Sequence, residues 1–167
     1  WRFMIGAATV IGNQAIVSVD YERVAFNDMR VKYSDGGYYG DFVNDDAVEN
    51  NIKDSFKGSN IVRVGLEYRV TPQFSLRAGY NVESSNVKSN ATNGTTEMLT
   101  SGTDPSYSLD KTTQYISFGL GYRYQAFYID AAYVYKNRKS TFHAYPDFNG
   151  YAAPTADVTD TNNSIVI

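Results

Sequence analysis

Cysteine is absent from this 167-residue chain, so neither disulfides nor thiolate metal sites are available to it. Long hydrophobic runs are absent too, since no stretch approaches the roughly 18–20 apolar residues of a membrane-spanning helix. There is no basic tract, and 15 basic against 18 acidic residues give a formal charge of −3. That balance argues against a nucleic-acid partner. Aromatic residues are abundant, with 15 tyrosines and 9 phenylalanines against one tryptophan, and the length suits one domain.

Two stretches of the chain are nearly the same β-hairpin. Residues 64–80 are VGLEYRVTPQFSLRAGY and residues 118–133 are FGLGYRYQAFYIDAAY. Both contain Gly-Leu-x-Tyr-Arg on the first strand and Phe-x-(Leu/Ile)-x-Ala-x-Tyr on the second. Every second residue is apolar or aromatic, and the residues between are charged, small or polar. This twin hairpin predicts an antiparallel sheet with two chemically opposite faces.

The same alternation predicts seven strands along the chain, over residues 2–10, 14–24, 59–70, 74–83, 113–124, 127–137 and 162–167. Tight turns at 11–13, 71–73 and 125–126 alternate with long polar segments at 25–58, 84–112 and 138–161. Short periplasmic turns and long extracellular loops are typical of bacterial outer-membrane barrels. We therefore expect an all-β chain, folded as an antiparallel transmembrane β-barrel of the outer-membrane type. Residues 1–167 would form one partial domain, because the alternation is still running at the last residue.

The aromatic residues of the apolar face divide into two predicted bands. One lies beside the tight turns and one beside the long segments, with aliphatic residues between, as in the girdles at the two membrane–water interfaces. A lipocalin-like soluble barrel would show the same alternation with its apolar face turned inward. The first band comprises Tyr68, Phe74, Tyr122, Tyr124 and Phe127; the second comprises Tyr21, Tyr80, Tyr133 and Tyr135.

Seven charged residues fall on the opposite, predicted lumen face. On the lipid face one such charge would cost about 2–4 kcal/mol near the bilayer midplane. They could form ion pairs between strands that stiffen the wall, or a polar lining that steers the head group of an amphipathic substrate. The candidate residues are Arg63, Glu67, Arg69, Arg77, Arg123, Asp130 and Lys136.

The segment RVGLEYRVTPQFSLRAGY, residues 63–80, resembles the carboxyl-terminal half of the outer-membrane long-chain fatty acid transporter family, and the closing NNSIVI resembles the start of its last strand. That family includes toluene and xylene uptake channels and members labelled hemin receptors. The resemblance implies a 14-stranded barrel with an amino-terminal plug, of which this chain would be the last seven strands. It also implies passive uptake of hydrophobic or amphipathic molecules, long-chain fatty acids above all, in a Gram-negative outer membrane among lipid and lipopolysaccharide. The amino-terminal half of the barrel would lie outside this sequence, and no functional residue of the family can be placed on it.

The remaining candidates indicate no enzyme, cofactor or metal. His143, the only histidine, is expected in an exposed loop, and Ser140 beside it has no placed acid or oxyanion hole. The acidic segment 41–50 offers oxygen ligands without EF-hand spacing and is expected to be a solvated loop. Val48, Ile52 and Phe56 have helical spacing and predict a short amphipathic helix. The alternative function is a soluble or surface β-barrel module whose long loops bind a ligand, haem included, or a partner.

Overall fold

Seven strands form one antiparallel sheet in this chain. The computed structural model describes residues 1–34, 36, 42–92, 106–145 and 151–167. The sheet order is β1-β2-β5-β6-β7-β8-β9, and β3 and β4 form a separate hairpin. The strands are β1 (Arg2–Ile11), β2 (Ala15–Ala25), β3 (Lys32–Ser34), β4 (Phe42–Asn44), β5 (Gly58–Arg69), β6 (Phe74–Glu83), β7 (Tyr107–Tyr124), β8 (Phe127–His143) and β9 (Thr155–Val166). The helices are a 3-10 turn at Phe26–Asp28, α1 (Asp46–Ser55) and α2 (Ser89–Thr92).

The predicted all-β class is confirmed, and each of the seven predicted strands corresponds to a strand of the large sheet. The sheet itself is open. Strands β1 and β9 are its two edges, and within the described residues they do not pair with each other. Closure into a barrel is therefore not a feature of this structure.

The tight turns follow from their residues. Gly12 and Asn13, the two central residues of the first turn, both have φ near 57°, in the left-handed region that glycine and asparagine tolerate best. The backbone N–H of Gln14 closes the turn by donating to the carbonyl of Ile11 at 3.2 Å. In the second turn the Thr71 hydroxyl accepts a hydrogen bond from the backbone N–H of Phe74 at 3.0 Å. These local hydrogen bonds fix the register of the strands on either side.

Strands β7, β8 and β9 extend farther than the alternation predicts. β7 begins at Tyr107, not 113, β8 ends at His143, not 137, and β9 begins at Thr155, not 162. The long segments 84–112 and 138–161 are correspondingly shorter as connections. The extensions are mostly polar and do not sustain the apolar alternation, yet the backbone ladder continues through them. Ion pairs between strands support it, Arg138 with Asp110 at 2.5 Å and Lys111 with Asp157 at 2.6 Å.

The first long segment, 25–58, holds the β3–β4 hairpin and the predicted helix α1. The side chain of Asp45 caps α1 by accepting a hydrogen bond from the backbone N–H of Val48 at 3.1 Å. Beyond the helix, Phe56 packs with part of segment 84–92 and with β7 around a small apolar core of Val87, Ala91 and Leu109. In the described part of the chain, no helix has both the length and the apolarity needed to cross a membrane.

Candidate functional site: the two faces of the sheet

The register of the large sheet places the predicted apolar residues on one continuous face. Directly opposed residues of antiparallel strands point to the same side. Leu66 lies opposite Val17 on β2 and Ala78 on β6, and Leu120 lies opposite Leu76 and Ala131. The apolar face comprises Val17, Val19, Tyr21, Val62, Val64, Leu66, Tyr68, Phe74, Leu76, Ala78, Tyr80, Ile116, Phe118, Leu120, Tyr122, Tyr124, Phe127, Ile129, Ala131, Tyr133, Tyr135 and Ile165.

No second layer of described residues covers the apolar face. From Ile116 at 38% to Phe127 at 61%, the large side chains of β7 and β8 on this face are exposed, except that of Tyr135, which is half-buried. Ile165 on the edge strand reaches 75%. Buried hydrophobic residues are instead few and lie mostly at the end of the sheet near α1. An uncovered apolar area of this extent is unusual for a protein surrounded by water.

The aromatic residues form two oblique bands on this face. In the register, Tyr68 is level with Leu76, Phe74 is level with Tyr122, and Phe127 is level with Tyr124. Phe74 lies two residues nearer the turns than Leu76, and Tyr124 lies two residues nearer the turns than Tyr122. From β5 to β8, the band beside the turns therefore shifts by four residues toward the turns. The other band, from Tyr21 to Tyr133 and Tyr135, shifts by two to four residues in the same direction. In a barrel whose strands tilt by about 40° from the barrel axis, a band perpendicular to that axis shifts by about one residue from each strand to the next.

On the polar face, three residues form a charge triad across four strands. The Arg77 guanidinium on β6 donates to Glu67 on β5 at 2.9 Å and to Asp130 on β8 at 2.5 Å. It reaches Asp130 over β7, where Gly119 and Gly121 have no side chain. A Cβ added at Gly121 would lie 2.7 Å from the Asp130 Oδ1 atom. The two glycines thus leave the gap that the triad occupies.

A second ion-pair group lies nearer the long segments. Glu22 on β2 is almost fully buried and pairs with Arg63 on β5 at 2.8 Å and with Arg2 on β1. Sequence reasoning singled out Arg63 but missed Glu22. The sequence offered one signal for Glu22: it lies two residues from Asp20 on the same strand, and the register places Asp20 opposite Arg63.

All seven predicted charged residues lie on the polar face, but they are not all in one network. Lys136 lies over the ring of Tyr115, 5.6 Å from its centroid. Arg69 and Arg123 form no ion pair and no side-chain hydrogen bond among the residues that the structure describes. Both border a cavity of about 640 Å³ that opens on the polar face beside the charge triad, lined also by Ser75 and Tyr128.

The sequence predicts that His143 lies in an exposed loop, but the structure does not place it there. It ends β8, is fully buried, and stacks on Tyr107 with ring centroids 4.5 Å apart. The prediction was wrong because β8 continues past 137 and pairs His143 with Tyr107 at the start of β7. Nearby, the hydrogen bond from the Lys111 ammonium lowers the pKa of the Asp157 carboxyl below its ordinary value.

Within the described ranges, no three histidine, aspartate or glutamate side chains are grouped to hold a metal ion. The acidic segment 41–50 lies partly outside those ranges. Comparison of the chain with models of protein families, with curated proteins and with solved structures found no match.

Proposed function

We propose that this chain forms part of the wall of an outer-membrane β-barrel that admits hydrophobic or amphipathic small molecules by passive transport. The observation that carries the proposal is the continuous, uncovered apolar face bounded by two oblique aromatic bands. A bilayer supplies the apolar contact that no described residue supplies, and its two interfaces suit tyrosine and phenylalanine rings.

The band positions agree with the dimensions of a membrane. On β6, Phe74 and Tyr80 lie six residues apart, and on β8, Phe127 and Tyr135 lie eight apart. These separations correspond to about 20 and 27 Å along the strands. Tilt shortens the vertical span to about 15–21 Å, which fits within an apolar band about 25 Å tall and leaves the band residues about 2–5 Å inside its borders.

The two open edges support a wall that other strands complete. Each edge strand presents a row of unpaired N–H and C=O groups, and each such group costs several kcal/mol in hydrocarbon. The resemblance to the long-chain fatty acid transporters supports a 14-stranded barrel and fatty acids as the substrate class. The polar face would then line the lumen, and the long segments would face the outside of a Gram-negative cell, among lipopolysaccharide.

The test is refolding. We expect the chain to fold only with detergent or lipid, to give a heat-modifiable gel band, and to have its tyrosine fluorescence quenched by brominated lipid tails. Folding in plain buffer, with the apolar face protected from solvent, would contradict the proposal and favour a soluble binding module.

Transport gives a second test. The seven strands alone leave two open edges, so liposomes carrying only this chain should take up labelled fatty acid no faster than empty liposomes. Uptake above that background would show that the remaining strands are unnecessary.

A further inference from the structure

We propose that Arg69 and Arg123 form a binding site for the carboxylate head group of an amphipathic ligand, at the turn end of the polar face. The inference rests on the proposed function for the identity of its ligand. Its physical basis is the position and the unpaired charge of the two guanidinium groups.

The two arginines occupy equivalent positions in the twin hairpin. Each follows Gly-Leu-x-Tyr at the end of its strand. Each is also held by the same kind of backbone hydrogen bond to the preceding turn: the N–H of Arg69 donates to the carbonyl of Gln14 at 2.7 Å, and that of Arg123 to Gln73 at 2.8 Å. The backbone thus fixes the origins of both side chains.

The register gives their separation. Arg69 is level with Ser75 on β6 and Gly121 on β7, and Arg123 lies two residues beyond Gly121 toward the turn. Two strand spacings and two residues place the Cα atoms about 12 Å apart. Both side chains border the same 640 Å³ cavity. Two arginines that extend toward each other across this distance can place donors on one small anion.

The neighbouring carboxylates do not compete for these arginines. Glu67 and Asp130 both pair with Arg77. The five side chains together carry three positive and two negative charges, so the cavity has a net charge of +1. A single carboxylate would neutralise it, and the planar guanidinium matches carboxylate geometry through paired hydrogen bonds. Tyr128 adds a hydroxyl and an aromatic ring, and Pro72 adds apolar surface for a chain.

The test is a titration of the chain folded in zwitterionic detergent micelles, observed by NMR at the arginine Nε–Hε groups. We expect octanoate to shift the Arg69 and Arg123 signals saturably, and octan-1-ol to leave them unchanged. The double variant Arg69→Gln/Arg123→Gln, followed like the other variants at the backbone amide of Gly121 beside the cavity, should bind octanoate about 5- to 30-fold more weakly. The Arg69→Lys/Arg123→Lys variant, which keeps both charges, should lose less.

Arg30→Gln is the control, because it removes one arginine charge from an exposed residue that does not border the cavity, and it should bind octanoate like the unaltered chain. The site is refuted if octanol shifts the same signals, or if the double glutamine variant binds octanoate normally. Inorganic phosphate binding as tightly as octanoate would refute an amphipathic ligand. If the unaltered chain gives no heat-modifiable band, the proposed function is refuted and not the arginine site. The same band, measured for each variant, shows that the variant is folded.

Discussion

Ala131 and Ala132 are adjacent on β8 and point to opposite faces of the sheet, which makes them a matched pair for testing what those faces contact. Ala131 lies opposite Leu120 on the apolar face, and Ala132 lies opposite Gly119 on the polar face. Ala131 is also halfway between Phe127 and Tyr135, four residues or about 14 Å from each. It therefore lies close to the expected bilayer midplane.

Arginine at each position should have very different effects. Ala131→Arg would place a charge in hydrocarbon and should lower the free energy of unfolding in lipid by about 2–4 kcal/mol, a loss of about 30- to 800-fold in the folding equilibrium. Ala132→Arg would lie beside the charge triad, which carries two negative charges and one positive, so the new cation is not repelled. Its cost should be within about 1 kcal/mol.

The assay is urea unfolding of both variants in lipid vesicles, followed by the heat-modifiable band. Equal costs for the two variants, or a greater cost for Ala132→Arg, would refute the assignment of the faces. If Ala131→Arg is harmless, the half-exposed apolar face is in contact with water.

Three further predictions concern the polar face and the extended strands. Gly121→Ala should lower the free energy of unfolding by about 1 kcal/mol, because its Cβ would displace the Asp130 carboxylate. Gly119→Ala should be neutral in the same urea titration, because its Cβ would approach no atom more closely than the Arg77 Cβ at 3.4 Å and the Ala131 carbonyl oxygen at 3.5 Å. Lys111→Met should return the pKa of Asp157 toward its ordinary value, measured by a carboxyl NMR titration. Because the pKa of Asp157 is lowered in the folded chain, the pair stabilises the fold fully at pH values above the ordinary carboxyl pKa. That stabilisation is lost as the pH falls through the lowered pKa of the folded chain. His143→Ala should destabilise the end of β8 by about 1–3 kcal/mol, measured by hydrogen exchange, whereas His143→Phe should keep most of the stacking on Tyr107. Equal protection from exchange in the two variants would contradict a stabilising role of the stacking.

The all-β class, the seven strands of the large sheet and the face of each of their residues could be predicted from the sequence wherever one face is apolar, whereas the short β3–β4 hairpin was not predicted. There, the alternation has a period of two, and a slip by one residue would reverse both faces, so the pattern determines the register. Turn residues such as Gly12 and Asn13 add independent local signals.

The features that sequence reasoning missed depend on distant partners. The ends of β7, β8 and β9 are held by backbone pairing and by ion pairs such as Lys111 with Asp157, which lie 46 residues apart. The burial of His143 depends on its pairing with Tyr107. No local pattern encodes either contact.

The charge triad bears on the order in which the sheet assembles. Arg77 and Asp130 occupy the same position in the two copies of the twin hairpin, so the repeat has opposite charges at equivalent places. Arg77 is ten residues from Glu67, within its own hairpin, but 53 residues from Asp130 in the other. The first contact can form as soon as one hairpin closes, whereas the second requires both hairpins to be aligned side by side. Two copies that were identical at this position would present like charges to each other, so the difference here favours their pairing as neighbours in the correct register.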